Sequence, residues 1–216
     1  MSTGAWSPVS LAVVSAGVGH PHPTRLLADW VAEAVCRSLA AGGARAEVEV
    51  LELHRLTADL ARHTAQGRAS LDLREAIAAV VGADGLVVAT PVLTASPNEV
   101  FDSFLAALGG RVLSGMPVLL ALNSGTGRQP PDVAQVIRGC LTDVHADPVP
   151  TVVVACPADW HATAHRDAAR LHRPGRRRTR RGDALAPAVA DSACFEFEAE
   201  VVWATVASNS KQLGSQ

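Results

Sequence analysis

The sequence is poor in several residue types that often mark a particular kind of function. It has no tyrosine, and its only lysine is Lys211. Its four cysteines form no CxxC pair and no cluster with histidine at metal-ligand spacing, which argues against a zinc site or a redox dithiol. No apolar run is long enough to span a bilayer, and residues 1–10 do not resemble a signal peptide. The formal charge of −2 gives no reason to expect nucleic acid or an anionic membrane as a partner, so we expect a cytoplasmic protein.

Apolar residues make up 48% of the 216-residue chain, which is enough for a substantial core, and they fall into alternating strand and helix patterns. Segments arranged in strict β-α-β order predict an α/β fold, with a parallel sheet and helices on both faces. Residues 54–70 are polar and are predicted to be irregular, with Ser70 as the N-cap of the helix that follows. The predicted strands are 9–16, 46–53, 85–92, 116–125 and 150–157, and the predicted helices are 24–43, 70–83, 97–110 and 131–144.

The pattern changes after the fifth strand, so we divide the chain into a domain over 1–160 and an atypical C-terminal tail over 161–216. Eight arginines fall between residues 166 and 181. These arginines are consistent with a contact to nucleotide phosphate or to a partner protein. They are also consistent with a solvated linker, which is the interpretation we favour, and with a reading-frame change in the gene. Residues 194–206 fit either a short helix or an added strand.

Ligands of an open parallel sheet bind outside the carboxyl ends of its strands, where the strand order reverses. The segments 15–24, 90–98 and 123–129 leave those ends, and they are rich in small, polar and loop-forming residues. They contain no pair of carboxylates, and the histidines near them are His20 and His22. General acid–base or metal catalysis is therefore poorly supported. The glycines of "SAGVG" and "SGTG" match neither a P-loop nor GxGxxG.

These same segments carry a family resemblance. The stretches "LAVVSAGVGHPHPTRLLAD", "ADGLVVATPVLTASPNEVFDSFLAAL", "GMPVLLALNSGTGRQ" and "VPTVVVACPADW" resemble the NADPH-dependent FMN reductases, which have a flavodoxin-like fold. The branch that accompanies luciferase-like flavin monooxygenases is the most similar, and the resemblance covers residues 9–160. It implies an oxidoreductase that transfers a hydride from NADPH to FMN, works as a homodimer or tetramer and supplies reduced flavin to a monooxygenase.

In that family the FMN phosphate lies in the first loop at the start of the first helix, the second loop supports the edge of the flavin ring, and the third loop faces the ring. The hydride chemistry belongs to the cofactors, so the resemblance implies no catalytic side chain and no metal. The cofactor-binding residues that it implies are Ser15, His22, Thr24 and Arg25 in the first loop, Pro91, Val92, Leu93, Thr94, Ala95 and Ser96 in the second, and Ser124, Gly125 and Thr126 in the third.

The sequence departs from the family pattern in each loop. His22 and Pro23 replace two serines, and proline offers no N–H to a phosphate. His22 could restore some anion affinity when protonated, or it is simply a loop histidine. Asp102 occupies a position that is usually basic, and Gln129 replaces a histidine. Two alternatives to the reductase therefore stay open: a flavodoxin-like protein whose degraded flavin site serves as a non-catalytic binding or scaffolding partner, and an enzyme that uses the same cleft for another small molecule.

Overall fold

The computed structural model describes residues 8–17, 23–92, 99–124 and 131–156, and the predicted C-terminal tail lies outside them. None of the helices in these four ranges is long and apolar enough to cross a membrane. In chain order the elements are β1 (Val9–Ser15), α1 (Pro23–Ala41), β2 (Ala46–Glu52), a 3₁₀ turn (Leu53–Leu56), α2 (Thr57–Gln66), α3 (Leu71–Val81), β3 (Gly85–Val92), α4 (Glu99–Leu108), β4 (Pro117–Ser124), α5 (Pro131–Asp143) and β5 (Asp147–Ala155).

The five strands form one parallel sheet in the order β2-β1-β3-β4-β5. The chain runs from β1 outward to β2 and then crosses over β1 to β3, so the strand order reverses between β1 and β3. The predicted parallel α/β sheet with helices on both faces is confirmed, and its order is the flavodoxin-like one. The carboxyl ends of β1 and β3 border the crevice that this reversal creates.

The sheet separates two apolar cores. On one face α1 packs Leu27, Val31 and Val35 against alternate residues of β1, β3, β4 and β5. On the other face residues of α2, α3, α4 and α5 pack against the intervening strand residues, with Phe101 and Phe104 among the largest fully buried side chains. Strands that are covered on both faces favour apolar residues at successive positions, which explains the apolar runs 11–14 in β1, 86–89 in β3 and 118–122 in β4.

Residues 54–70, predicted to be irregular, contain a helix, so that prediction is wrong. The helix is α2, and Leu60 is its buried residue. One buried leucine among polar and alanine residues gives no helical apolar periodicity, although the segment contains good helix formers. The helix ends at Gly67, which has a φ of 67° and donates its N–H to the carbonyl of His63 at 2.8 Å. Ser70 caps α3 as predicted, because its Oγ accepts from the backbone N–H of Leu73 at 3.1 Å.

Strand β5 begins at Asp147, earlier than the predicted start at Pro150, because two prolines are tolerated in it. Pro148 and Pro150 both lie in β5, which is an edge strand, and prolines are confined to edges within sheets. The pairing with β4 shifts register between Val118 and Leu120. Arg138 of α5 donates from its guanidinium to the carbonyls of Pro148 at 3.4 Å, of Thr151 at 3.5 Å and of Pro150. An α5 side chain thus satisfies carbonyl groups of the irregular edge strand.

Candidate functional site

The candidate site lies where the carboxyl ends of β1, β3 and β4 meet the first turn of α1. Pro91 and Asn123 are partners across β3 and β4, and Ser15 of β1 pairs with Ala89 of β3. Alternate strand residues belong to the core beneath α1. Continuing this alternation to the strand ends places Ser15, Pro91 and Asn123 on the α1 face of the sheet. Ser124 is on the opposite face by the same rule.

Thr24, in the first turn of α1, is held from two sides. Its side chain is 2% exposed, and its Oγ1 accepts from Asn123 Nδ2 at 3.4 Å. The backbone of Gly17 passes directly over it: a Cβ at position 17 would lie 2.7 Å from Thr24 Cβ and 3.0 Å from Thr24 Oγ1. The close passage of the first loop over α1 therefore requires glycine at position 17. The contact with Asn123 joins the end of β4 to the same helix turn.

The N-terminus of α1 is suited to an anion. This 19-residue helix begins with Pro23 and has no acidic residue in its first turn. Its first backbone N–H groups, which have no partner within the helix, and the positive end of its dipole favour negative charge at this position. Pro23 contributes no N–H, so Thr24 and its neighbours have to supply the donors.

Arg25 is held at the side of the site by two carboxylates. Its Nε lies 2.9 Å from Asp29 Oδ1, and one of its terminal nitrogens lies 3.0 Å from Glu52 Oε1. Glu52 is the last residue of β2 and is 12% exposed, and it also accepts from Arg55 at 2.8 Å. The guanidinium is therefore oriented towards the end of β2, and any phosphate would share it with these two carboxylates.

On the far side of the sheet Asp102 adds negative charge to the first turn of α4, which follows the second loop. Partial desolvation raises the pKa of this carboxyl, and the charge of Glu99 raises it further. Asp102 also helps to raise the pKa of Cys140 on α5, after the larger effect of burial. Two carboxylates at this helix start make the second-loop side of the site less favourable to a phosphorylated nucleotide.

Six of the sequence-predicted site residues are described, and they come together at this single edge: Ser15, Thr24, Arg25, Pro91, Val92 and Ser124. The other predicted residues lie outside the described ranges, namely His22, Leu93, Thr94, Ala95, Ser96, Gly125 and Thr126. The predicted cofactor-binding set lacks three residues that shape the site, Gly17, Glu52 and Asn123, although the predicted segments 15–24 and 123–129 contain Gly17 and Asn123. The signal for Asn123 was present, because an amide at the end of an otherwise apolar strand marks a polar environment.

The sequence of this chain matches the family model for NADPH-dependent FMN reductase over residues 9–161. The chain belongs to this family. An FMN reductase (NADPH) of Pseudomonas aeruginosa is 27% identical over 154 residues, which are 71% of this chain and 80% of that protein. The fold of this chain also resembles that of an oxidoreductase from Corynebacterium diphtheriae. The two have a TM-score of 0.67 and 36% sequence identity, and the match covers 70% of this chain and 84% of that one. An NADH:FMN oxidoreductase in its apo form has a TM-score of 0.60 at 23% identity, covering 76% of this chain and 83% of that chain.

The cofactors of the family, FMN and NADPH, fit the chemistry of this edge. Phosphate binds hydroxyl and N–H donors, and the first turn of α1 together with Ser15 and Thr24 provides them, while Asp29 and Glu52 compete for Arg25 at the side of the site. Within the described ranges there is no group of three or more histidine, cysteine, aspartate or glutamate side chains that could hold a metal ion. The hydroxyl groups of Ser15 and Thr24 and the N-terminus of α1 match an organic phosphate.

Proposed function

We propose that this chain binds FMN at the carboxyl edge of its sheet and reduces it with NADPH. The observation that carries the proposal is the arrangement at the first turn of α1. There the buried hydroxyl of Thr24, its partner Asn123 and the strand end at Ser15 surround a helix N-terminus that is free of acidic residues. Membership of the NADPH-dependent FMN reductase family supports the same assignment.

The chain contributes binding and orientation. Thr24 and Ser15 supply hydroxyl donors for the phosphate, α1 supplies the positive end of its dipole, and Arg25 adds a guanidinium that it shares with Asp29 and Glu52. We extend the binding set to the other loops through Pro91, Val92 and Ser124 at the ends of β3 and β4. Bound FMN supplies the ring that takes up the hydride of NADPH, so no side chain of the protein has to act as a base.

Further properties of the family resemblance remain part of this proposal. We propose that the protein is cytoplasmic, that it assembles as a homodimer or tetramer, and that it hands reduced flavin to a flavin-dependent monooxygenase. We also include His22 and the loop residues Leu93, Thr94, Ala95, Ser96, Gly125 and Thr126 in the cofactor-binding set.

The test is NADPH oxidation by the purified full-length chain, measured by the loss of NADPH absorbance with and without added FMN. We expect oxidation that depends on FMN. Thr24→Val removes the hydroxyl at nearly constant volume and should weaken FMN binding roughly tenfold to a hundredfold, the cost of losing a hydrogen bond to a charged group. Ser70→Ala is the matched control, because it removes a hydroxyl whose role is to cap α3, away from this edge. Absence of FMN-dependent oxidation would contradict the proposal.

A second candidate is a flavodoxin-like protein that no longer reduces flavin and acts as a binding or scaffolding partner. Two observations favour it: the carboxylates of Glu99 and Asp102 at the start of α4, and the pairing of the Arg25 guanidinium with Asp29 and Glu52. Gel filtration of the protein with FMN separates the two functions. A chain that emerges without flavin and oxidises no NADPH supports the scaffolding role.

A further inference from the structure

Asn123 is connected to the first turn of α1 by a contact that spans 99 positions of the sequence. Its Nδ2 donates to Thr24 Oγ1 at 3.4 Å, and Asn123 is half-buried at the end of β4. The residues before it on the same face of β4, Leu119 and Ala121, belong to the apolar core beneath α1. Packing alone does not explain an amide at position 123. An apolar side chain would fill the same space without the cost of removing an amide from water.

The direction of this hydrogen bond decides what the Thr24 hydroxyl can do. A threonine hydroxyl has one O–H donor and two acceptor lone pairs. When Oγ1 accepts from the Asn123 amide, one lone pair is occupied, and the O–H cannot point at the amide hydrogens. The hydroxyl proton can therefore be donated to another acceptor. It lies at the N-terminus of α1, where an anion is favoured.

Gly17 restricts the same hydroxyl from the opposite side. The position of a Cβ on Gly17 would be 3.0 Å from Thr24 Oγ1, so the backbone of the first loop packs against the side chain. The side chain is 2% exposed, so the protein and not bulk water sets its rotamer. A donor fixed in this way binds its acceptor without the entropic cost of ordering a free hydroxyl.

We infer that Asn123 is a positioning residue that orients the Thr24 hydroxyl as a donor to the phosphate of FMN and so gives the chain its preference for FMN over unphosphorylated flavin. This inference rests on the proposed function. Asn123 acts through Thr24, so its contribution depends on the hydroxyl being present and on the ligand carrying a phosphate.

The experiment compares the Kd of FMN with that of riboflavin, which is the same flavin without its phosphate, by quenching of flavin fluorescence in the full-length protein. The wild type should prefer FMN. Asn123→Leu has a similar volume and no donor, and it should lower that preference about tenfold while leaving the riboflavin Kd unchanged. Asn123→Asp keeps the shape but accepts the Thr24 proton and adds negative charge, so it should lower the preference further. If the leucine variant fails to fold, Asn123→Ala, which also lacks the donor and adds no charge, carries the test with the same expected loss of preference.

A double-mutant cycle shows whether Asn123 acts through Thr24. The double variant Asn123→Leu with Thr24→Val should prefer FMN no less than Thr24→Val alone, because the hydroxyl to be positioned is already gone. Ser70→Ala is the matched control and should keep the wild-type preference. A wild type that prefers FMN together with an Asn123→Leu variant that keeps this preference overturns the inference alone. A wild type that binds both flavins equally overturns the proposed phosphate site and the inference with it.

Discussion

At the scale of single residues, the first loop leaves no room for a side chain at Gly17. An added Cβ would lie 2.7 Å from Thr24 Cβ, which is closer than such atoms approach, so either the first loop or α1 has to move. We expect Gly17→Ala to lower the free energy of unfolding by about 1–3 kcal/mol, the usual cost of overpacking, and to weaken FMN binding because Thr24 is displaced. Urea denaturation and fluorescence titration measure the two effects.

Gly139 provides the matched control for this prediction. It lies inside α5, and a Cβ there would meet nothing within 4 Å. Gly139→Ala should therefore raise stability by about 0.5–1 kcal/mol through the better helix propensity of alanine. Equal effects of the two substitutions would contradict the close approach at Gly17.

The charge of Asp102 makes a second prediction at this scale. The pKa of this carboxyl is raised in the folded chain by desolvation and then by Glu99. The folded state therefore holds the proton more tightly than the unfolded state, and stability falls as the pH rises through the folded-state pKa. Asp102→Asn should raise the free energy of unfolding at neutral pH by at most ~0.5 kcal/mol, the scale of surface substitutions. The gain should shrink in acid, where Asp102 is protonated in the parent chain.

Urea midpoints at neutral and acid pH check this prediction. Asp72→Asn serves as the control, because Asp72 is an exposed carboxylate in the first turn of α3, as Asp102 is in α4, but it has no second acidic residue in that turn to oppose the favourable helix dipole. It should lower stability slightly at neutral pH, opposite in sign to the substitution at Asp102. A gain for Asp102→Asn that persists unchanged in acid would contradict the assigned cause.

At the scale of elements, Arg138 is expected to stabilise the edge strand. Its guanidinium donates to carbonyl oxygens of Pro148, Pro150 and Thr151, which sit in the irregular part of β5. Arg138→Met keeps much of the side-chain packing and leaves these carbonyls to solvent. We expect a loss of about 1–2 kcal/mol, since hydrogen bonds from a charged donor are among the stronger ones, and those to Pro148 and Thr151 are partly buried.

The control for Arg138 is Arg62→Met. Arg62 is an exposed residue of α2 that pairs with Asp59 at 3.2 Å, three positions earlier. Ion pairs of this kind contribute ~0–1 kcal/mol. Thermal unfolding of both variants, together with faster hydrogen exchange confined to β5 in Arg138→Met, checks the assignment. Equal losses from the two variants would be evidence against the stabilising role at β5.

The elements that the sequence predicts are those with a strong apolar pattern. The bounds predicted for β3, 85–92, agree with Gly85–Val92, because a strand buried on both faces is an unbroken apolar run ended by turn residues. Helix α2 was missed because one buried leucine carries no periodicity. The early start of β5 was missed because proline inside a strand is acceptable at an edge, and the edge position is set by the whole sheet and not by the local sequence.

The site, too, is predictable where the local sequence determines it and unpredictable where the arrangement of the whole sheet does. The rule that ligands bind at the carboxyl ends of parallel strands predicts the segments 15–24, 90–98 and 123–129. Within those segments, Ser15, Thr24 and Ser124 are implied by the family resemblance. The partner of Arg25 could not be predicted, because Glu52 lies at the end of another strand and the pairing of β2 with β1 brings it close. The hydrogen bond between Thr24 and Asn123 could not be predicted for the same reason. The strand order of the sheet, and not the local sequence, brings the end of β4 close to α1.

At the scale of the whole molecule, the candidate site depends on both cores at once. The core beneath α1 fixes the helix N-terminus, and the core on the opposite face holds the ends of the strands from which the loops leave. Loops of such folds contribute binding groups while the packed layers fix their relative positions. A ligand that contacts loops after β1, β3 and β4 therefore stabilises contacts between elements that are far apart in the sequence.

This arrangement predicts that FMN stabilises the entire fold and not the loops alone. A ligand that binds only the native state adds ~2.7 kcal/mol at about 100 times its Kd, which for a chain of this size is a rise in Tm of roughly 5–11 °C. Calorimetry of the full-length chain with FMN measures it. Riboflavin at the same concentration should give a smaller rise, because it lacks the phosphate that α1 and Thr24 are expected to bind. Thr24→Val should lose most of the difference between the two ligands, since its hydroxyl is the buried donor at that turn. A Tm that FMN leaves unchanged would mean that this edge of the sheet does not bind flavin.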